Sequence, residues 1–242
     1  KVWEAAGHIK NFIEIIVRDK KTKELFKVDA HEASKYQDSD KYAIEGTFNP
    51  MFTTQVGPNI SSQTQAFLRP ETAQLIFTNF KSVVENARLK LPFGIAQVGK
   101  AFRNEISPRE FIFRNREFEQ MELEYFIAPK MKCPYIDEIK GIKIYLLTAA
   151  MQSKKQKAKK MEILEACRKG LIKNDWHTYF LALEFSWFIS LGANPEKFRA
   201  RQHQKEELSH YSSDTWDLEY EFPMGWRELQ GFADRSDYDL KQ

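Results

Sequence analysis

Arginines, glutamates and phenylalanines crowd the stretch FRNEISPREFIFRNREFEQMELEY, which runs from Phe102 to Tyr125. An arginine can hold a phosphate through two parallel N–H···O bonds, a phenylalanine ring can stack on a base, and a glutamate can bind an ammonium group. Isolated charges are costly inside buried strands, so these side chains need partners of opposite charge from the protein or from a ligand. The residue types suit a site for a nucleotide beside a small zwitterion.

The second half of this stretch predicts a β-strand with two different faces. Alternation places Phe118, Gln120, Glu122, Glu124 and Phe126 on one face and Met121, Leu123, Tyr125 and Ile127 on the other. We expect the second face to lie against the core and the first to carry the binding groups, together with Arg103 and Glu105 from the preceding strand. The alternative is a solvated face with cross-strand ion pairs, which contribute little stability.

The segments that must position this stretch predict an α+β core. Residues 11–29 indicate two strands around a charged turn at Asp19–Glu24, and Phe93–Val98 indicates a further strand. A helix is predicted after Pro70, where proline and an acidic residue suit a helix N-terminus. Its apolar stripe consists of Ala73, Ile76, Phe77, Phe80, Val83, Val84 and Ala87.

From about residue 130 the pattern of apolar and charged residues changes and favours helices. Residues 135–170, a segment of about residues 174–192 and a segment starting at Asn194-Pro195 all read as helical, and 215–222 and 226–232 return to strands. We interpret 1–129 as the first part of a core, 130–213 as a helical insertion and 214–242 as the core continued. The lysine-rich run SKKQKAKK at 153–160 could contact nucleic-acid phosphates or form a solvated face.

Composition bounds the class of protein. With 42% hydrophobic and 14% aromatic residues among 242, the chain can build an ordinary globular core. The net charge of +3 is mild, so any argument for nucleic-acid binding must rest on local patches. Two distant cysteines fit a reducing compartment, and no apolar run approaches the ~20 residues that span a bilayer. These features predict a soluble protein of the cytoplasm or of an organellar matrix.

Several short sequence motifs, found in the same order along the chain, resemble those of a known family. Phe102-Arg103-Asn104-Glu105 and Arg116-Glu117-Phe118 resemble the second signature motif of class II aminoacyl-tRNA synthetases. The words WEAAGH at 3–8, FNPMF at 48–52, LRPETAQ at 68–74 and ELQG at 228–231 are similar to those of the glycyl-tRNA synthetases of the dimeric, single-chain type. Because the words occur in order from residue 3 to residue 240, chance agreement is a poor explanation.

The resemblance implies a fold and a reaction. The fold is the class II catalytic core, an antiparallel β-sheet flanked by helices, here with the helical insertion. The reaction is ATP-dependent ligation of glycine to tRNA(Gly) through a glycyl-adenylate, with ATP and Mg²⁺, in a cytoplasmic homodimer. One rival hypothesis is a non-catalytic, synthetase-like accessory protein that binds nucleic acid, and a second is a synthetase for another amino acid.

The resemblance also implies roles for individual residues, with Arg103 as the catalytic contact to the α-phosphate. The ATP-binding set is Arg103, Asn104, Glu105, Phe113, Arg114, Asn115, Arg116, Glu117, Phe118, Glu228, Leu229 and Arg235. The glycine-binding set is Glu71, Phe118, Glu119, Gln120, Met121 and Glu122. Glu228 would also help to hold Mg²⁺ with ATP. From the residues alone, Glu71 could equally be an acid that stabilises a helix N-terminus.

The sequence departs from this family in three respects. The turn in DKKTKELFKVD holds no cysteine, so we predict no zinc site there. The run Leu25-Phe26-Lys27 stands where relatives carry an arginine that helps at the amino-acid site. The first motif, the third motif and an anticodon-binding domain are expected outside this chain, which we interpret as a fragment of a longer protein.

Overall fold

A computed structural model describes residues 1–28, 30–59, 64–108 and 111–241. Their contacts group into a first unit, Lys1–Ala128, and a second unit, Pro129–Lys241. Both combine β-sheets with helices, which confirms the predicted α+β class. Among the described residues, no helix has the length and apolarity needed to cross a bilayer.

The first unit contains three antiparallel sheets and one long helix. Its elements are α1 (Val2–Ala5), α2 (His8–Asn11), β1 (Glu14–Asp19), β2 (Leu25–Val28), β3 (Tyr42–Phe48), β4 (Thr53–Val56), β5 (Thr64–Phe67), α3 (Ala73–Ala87), β6 (Phe93–Phe102) and β7 (Glu117–Phe126), with a 3-10 helix at Ala30–Lys35. The sheets are β2-β1-β3, β4-β5 and β6-β7.

The hairpin β1–β2 confirms the two strands predicted around the charged turn. The Asp19 carboxylate accepts hydrogen bonds from the backbone N–H groups of Thr22 (3.0 Å) and Lys21 (2.8 Å). These two bonds hold the pKa of Asp19 below its usual value, because they favour the charged form. The sequence thus fixes the turn through one carboxylate at the end of β1.

The ribbon β6–β7 extends the predicted strand to Phe102 and pairs it with β7. The alternation along β7 is as predicted, but the assignment of its buried face is wrong. Met121 is 70% exposed and Leu123 is 50% exposed, whereas Phe118 and Glu122 are half-buried. The face that was predicted to be core is therefore the outer one.

The helix α3 explains which face of the ribbon is covered. Phe80 of α3 lies 4.6 Å from Phe126, and Phe126 lies 5.2 Å from Phe93 (ring centroids). Phe93 and Phe126 are directly opposite each other, so both rings project from the same face. The predicted helix is confirmed, and its buried residues Ala73 and Ile76 belong to the predicted stripe.

The second unit is built on a five-stranded sheet of order β12-β11-β10-β8-β9. Its elements are β8 (Lys143–Leu147), α4 (Ala149–Ser153), β9 (Lys159–Glu162), α5 (Ile163–Arg168), α6 (Asp175–Ser190), β10 (Phe198–Gln202), β11 (Asp214–Phe222) and β12 (Gly225–Asp234), with 3-10 turns at Ile136–Ile139, Pro195–Lys197, Lys205–Glu207 and Asp239–Lys241. Only β8 and β10 are parallel. A continuous apolar core joins the sheet to α5 and α6.

The predicted helices of residues 130–213 are only partly correct. Helix α6 is confirmed, with the Asn174 side chain accepting from the His177 backbone N–H at its start. The segment 135–170 contains strands β8 and β9, and the helix predicted from Asn194-Pro195 is a 3-10 turn followed by strand β10. Along β10, Phe198 and Ala200 are fully buried between charged neighbours, a period-two pattern that the abundant lysines and arginines concealed.

The strands predicted near residues 215–222 and 226–232 are confirmed as β11 and β12. They belong to the same sheet as β8, β9 and β10, and contacts group 129–241 as one unit. The assignment of 130–213 as an insertion between two parts of a catalytic core remains a prediction. The lysine run 153–160 is no helix: it extends from the end of α4 to the start of β9.

Candidate active site

Arg103 lies directly after the end of β6, not within the strand as predicted. Its Nε donates to the Pro70 carbonyl oxygen at 3.0 Å, and its backbone N–H donates to Arg116. The guanidinium carbon lies 5.4 Å from the Phe118 ring centroid and 5.9 Å from that of Phe12. Among the described residues, no acceptor bonds its two Nη groups, which leaves a cationic fork for an anionic ligand.

Two of the predicted substrate acids meet at the start of α3. The Thr72 backbone N–H donates to Glu122 Oε2 at 2.7 Å, and the Thr72 hydroxyl donates to the same oxygen. Thr72 is fully buried, and its chain neighbour Glu71 has a side chain that is only 13% exposed. A β-strand acid and a helix-start acid are therefore joined through one threonine.

The Glu71 carboxylate is paired with the His8 imidazole. His8 Nε2 lies 3.0 Å from Glu71 Oε1, and the His8 side chain is 5% exposed. The Trp3 and Phe12 rings flank the imidazole at 5.3 and 5.8 Å (ring centroids). Asn49 Nδ2 donates to the His8 carbonyl oxygen at 3.0 Å, which fixes α2. Three sequence motifs that are far apart in the chain thus position one carboxylate, that of Glu71.

Glu105 is almost fully buried, with a lysine as its partner. Lys27 Nζ lies 3.2 Å from Glu105 Oε1, 3.0 Å from Glu105 Oε2 and 2.6 Å from Glu14 Oε1. The Arg116 Nε donates to the Glu105 carbonyl oxygen at 3.0 Å, which anchors the far end of the loop that follows Arg103. Lys27 was noted in the sequence only as a replacement for an arginine, and its pairing with Glu105 was not predicted.

The loop after Glu105 is tied to two other elements. The Asn104 backbone N–H donates to the Pro50 carbonyl oxygen at 2.7 Å. The Ser107 hydroxyl donates to the Leu25 carbonyl oxygen at 3.2 Å, so the loop lies against β2. Residues 109–110, including an arginine of the quoted stretch, lie outside the described residues.

Beyond that gap, the loop returns towards β7. Phe113 is half-buried and Arg114 is exposed. Asn115 Nδ2 donates to the Ile112 carbonyl oxygen at 3.0 Å and closes a local turn. Of these predicted nucleotide contacts, Phe113 has the burial expected of a residue that covers a ligand.

Three predicted site residues lie on the outer face of β7. Glu117, Glu119 and Met121 are all exposed and alternate with the half-buried Phe118 and Gln120. Glu117 pairs with Lys100 of β6 on that face. The side chains of these three residues are thus directed away from the cluster around Arg103 and Glu122.

Arg69 joins the cluster although sequence reasoning missed it. Its Nε donates to the Lys100 carbonyl oxygen at 2.5 Å, and a Cβ at Gly99 would lie 3.3 Å from Arg69 Cζ and closer still to Nη2. Gly99 is directly opposite Gln120, on the half-buried face. The signal was a glycine inside an otherwise regular strand, which often marks a close approach by another group.

The remaining predicted residues belong to the second unit and lie on β12 or directly after it. Glu228 Oε1 lies 3.1 Å from the position of a Cβ at Gly231, so glycine leaves room for this carboxylate. Leu229 is 36% exposed. Among the described residues, no group of three or more histidine, cysteine, aspartate or glutamate side chains is arranged to hold a metal ion.

Arg235 is engaged within the second unit. It pairs with Asp239 through two hydrogen bonds, Nε to Oδ2 at 2.7 Å and Nη2 to Oδ1 at 2.9 Å. Its guanidinium lies over the Tyr211 ring at 3.8 Å from the centroid. A ligand phosphate would have to compete with, or share, this two-pronged pair.

Comparisons with known proteins agree on one family. A family model described as "tRNA synthetase class II core domain (G, H, P, S and T)" matches residues 52–178. A glycine–tRNA ligase of Geobacillus thermodenitrificans is 39% identical over 272 residues, and one of Borrelia hermsii is 36% identical over 247. These matches cover 100% of this chain and 50% or 46% of the relatives. The chain therefore spans about half the length of the curated relatives it matches.

A solved structure gives a weaker likeness. The crystal structure of cytoplasmic serine–tRNA ligase from Naegleria fowleri in complex with AMP matches with a TM-score of 0.49 and 16% identity. The match covers 79% of this chain and 32% of that chain. This similarity is too low to support an argument about the site.

Proposed function

We propose that this chain, which belongs to the class II tRNA synthetase core family (G, H, P, S and T), carries the amino-acid-activating site of a glycine–tRNA ligase. The relatives named above support glycine as the amino acid. The observation that carries the proposal is the cluster of Arg103, Glu71 and Glu122 around the start of α3. It combines one cation for a phosphate with two acids for an ammonium group.

The first step joins glycine to the nucleotide. A glycine carboxylate oxygen attacks the α-phosphorus of ATP, the new O–P bond forms, and pyrophosphate leaves with the electrons of the broken P–O bond. The carboxylate is already nucleophilic, so the protein needs no nucleophile of its own and acts by alignment and charge stabilisation. Arg103 is suited to this role, because its guanidinium is held by Pro70 through Nε alone.

The glycine ammonium group is proposed to lie between Glu71 and Glu122, with Gln120 beside them. Glu122 is oriented by Thr72, and Glu71 is oriented by His8, so both acids are arranged before the substrate arrives. Glycine offers no side chain to bind, and larger amino acids are excluded by steric clash. A preformed acidic site suits such a substrate.

The nucleotide is proposed to bind across the loop that begins at Asn104. Phe118 would stack on adenine and Glu105 would accept from its 6-amino group, while Phe113 would cover the base. The loop residues Arg114, Asn115, Arg116 and Glu117 complete the proposed set. Glu105 fits this role, since it is buried and one of its oxygens accepts no hydrogen bond among the described residues.

Glu228, Leu229 and Arg235 are proposed as nucleotide-binding residues on the family resemblance alone. Glu228 would help to hold Mg²⁺ with ATP, where the ion would neutralise phosphate charge. The outer-face residues Glu119 and Met121 remain proposed neighbours of the glycine site through their backbone only. Their exposed side chains give them no direct contact.

In the second step, the 3′-terminal hydroxyl of tRNA(Gly) attacks the carbonyl carbon of the adenylate, and AMP leaves. We propose that the whole protein acts as a cytoplasmic homodimer, a proposal that rests on the family resemblance. The lysine run at 153–160 is a candidate for contact with tRNA phosphates. Charge reversal at Lys154, Lys155 and Lys157 would then impair tRNA charging and spare adenylate formation.

Glycine-dependent exchange of pyrophosphate into ATP tests the proposal. The full-length protein is assayed with glycine and, as matched controls, with alanine and serine. We expect exchange with glycine and at least ~10-fold less with the larger amino acids. No exchange with any of the three would favour the non-catalytic accessory protein instead.

A further inference from the structure

The Lys27 ammonium group lies between two acids beside the proposed adenine site. It is 2.6 Å from Glu14 Oε1 and 3.0 Å from Glu105 Oε2. We propose that Lys27 is a positioning and specificity-determining residue, which fixes the Glu105 carboxylate as an acceptor and so makes the site select a 6-amino purine. This inference rests on the proposed function, because it assumes that Glu105 meets the base.

The fold places Lys27 at this point through the β1–β2 hairpin. Lys27 on β2 is paired with Ile16 of β1, and Glu14 is the first residue of β1. The Ser107 hydroxyl donates to the Leu25 carbonyl oxygen, so the loop after Glu105 is bonded to the same strand. The hairpin therefore fixes both the lysine and the loop that carries its partner.

Burial makes the lysine the main partner of the Glu105 carboxylate. The Glu105 side chain is 8% exposed and that of Glu14 is 15% exposed, while Lys27 is 21% exposed. Removing one partner of a buried ion pair leaves an uncompensated charge, which is strongly unfavourable. Without Lys27, we expect the Glu105 carboxylate to lose the contact that fixes its position.

The geometry also leaves one acceptor for a ligand. Glu105 Oε1 accepts a hydrogen bond from Lys27 Nζ at 3.2 Å. Glu105 Oε2 is within ion-pair distance of the same nitrogen but accepts no hydrogen bond from any described residue. A buried carboxylate oxygen of this kind fits a donor from a ligand.

The charge of Glu105 decides which purine it accepts. An ionised carboxylate accepts from the 6-amino group of adenine and repels the 6-oxo group of hypoxanthine or guanine. Both effects require that the carboxylate be held in place, and Lys27 is the group that holds it. Loss of Lys27 would thus weaken ATP binding and reduce the preference for ATP over a 6-oxo nucleotide.

The test compares ATP and ITP in glycine-dependent pyrophosphate exchange by the full-length protein. For Lys27→Met we expect the KM for ATP to rise at least ~10-fold and the ATP-to-ITP ratio of kcat/KM to fall by a similar factor. The KM for glycine should change little. Lys27→Arg should retain most of the ATP preference, because it restores the cation.

Matched variants distinguish a positioning role of Lys27 from a non-specific effect of the substitution on the structure. Lys41→Met makes the same substitution at an exposed lysine directly before β3, 3.9 Å from Asp19, and should leave kcat/KM for both nucleotides unaffected. If Lys27→Met lowers kcat/KM equally for ATP and ITP, the role is structural and the inference is overturned. An unchanged ATP preference overturns it as well.

Two further outcomes are informative. Should Lys27→Met fail to fold, Lys27→Gln keeps a hydrogen-bond donor without the charge, and it should show the same loss of ATP preference. Should the wild-type protein show no exchange, the proposed function fails by itself. Equilibrium binding of ATP and ITP to wild type and Lys27→Met then tests the lysine alone, with an unchanged binding ratio overturning its role.

Discussion

The two units bury polar side chains in different surroundings. In the second unit, the buried acids Asp217 and Glu219 of β11 pair with Arg201 and Arg199 of β10, beside one continuous apolar core formed by the sheet, α5 and α6. In the first unit, the buried set includes Thr72, Gln74, His8 and Glu105, while the apolar side chains of Val98, Met121 and Leu123 on the outer face of β6–β7 are exposed. Polar burial in the first unit coincides with the cluster that carries the proposed chemistry.

This difference separates two kinds of buried residue. A buried apolar side chain stabilises the fold by leaving water, whereas a buried carboxylate contributes only if its partners are in place. Glu71, Glu105 and Glu122 each have such a partner in His8, Lys27 and Thr72. We therefore expect substitutions in the cluster to alter activity and substitutions in the apolar core to alter stability.

The largest effect is expected for Arg103→Ala. Loss of the cation at the α-phosphate should lower glycine-dependent pyrophosphate exchange by ~100- to 1,000-fold, with little change in the thermal unfolding midpoint. Arg18→Ala is the matched control, because Arg18 pairs with Glu45 on an exposed surface of the same unit. Near-normal exchange by Arg103→Ala would show that Arg103 does not contribute to adenylate formation.

A large effect on stability is expected for Phe198→Ala in the second unit. Phe198 is fully buried among Phe185, Phe188 and Tyr220, and its truncation should lower the free energy of unfolding by about 3–5 kcal/mol. Met121→Ala, at a site 70% exposed, should change it by less than about 0.5 kcal/mol. Chemical denaturation measures both. Equal losses of unfolding free energy in the two variants would contradict the distinction between the buried core and the exposed face.

The smallest effect is expected from acid titration of His177. Burial lowers the pKa of His177 below its usual 6.5, although its contact with the Phe232 carbonyl oxygen opposes this. The unfolded chain then binds a proton more readily, so stability is lost as the pH falls from about 6.5 towards the folded pKa. His177→Asn should reduce the slope of the unfolding free energy against pH over this range. An unchanged slope for His177→Asn would contradict this.

Strong local patterns made much of the fold predictable. The apolar stripe of α3 and the charged turn after β1 were correctly located, because each depends on neighbouring residues. Strand β10 was missed, since its burial depends on β8 and β11 on either side. The covered face of β7 was also assigned wrongly, because Phe93 and Phe126 recruit α3 to the face that carries the acids.

The site was predictable as a set of residue types but not as a set of contacts. The sequence motifs around Glu71, Arg103 and Glu122 resemble those of a known family and so identified these residues as candidates for the site. Their partners could not be read from spacing, because Lys27 lies 78 positions from Glu105 and Thr72 lies 50 from Glu122. Such long-range pairs exist only once the sheets and α3 have packed.

Calorimetry of a stable glycyl-adenylate analogue, with a sulfamoyl group in place of the phosphate, tests most directly whether the full-length protein holds activated glycine. We expect the analogue to bind at least ~100-fold more tightly than ATP or glycine alone, and Glu122→Gln to weaken its binding by ~10-fold or more. The alanyl analogue should bind more weakly than the glycyl one. An analogue that binds no better than ATP, or equally well to wild type and Glu122→Gln, would contradict the claim that this cluster holds activated glycine.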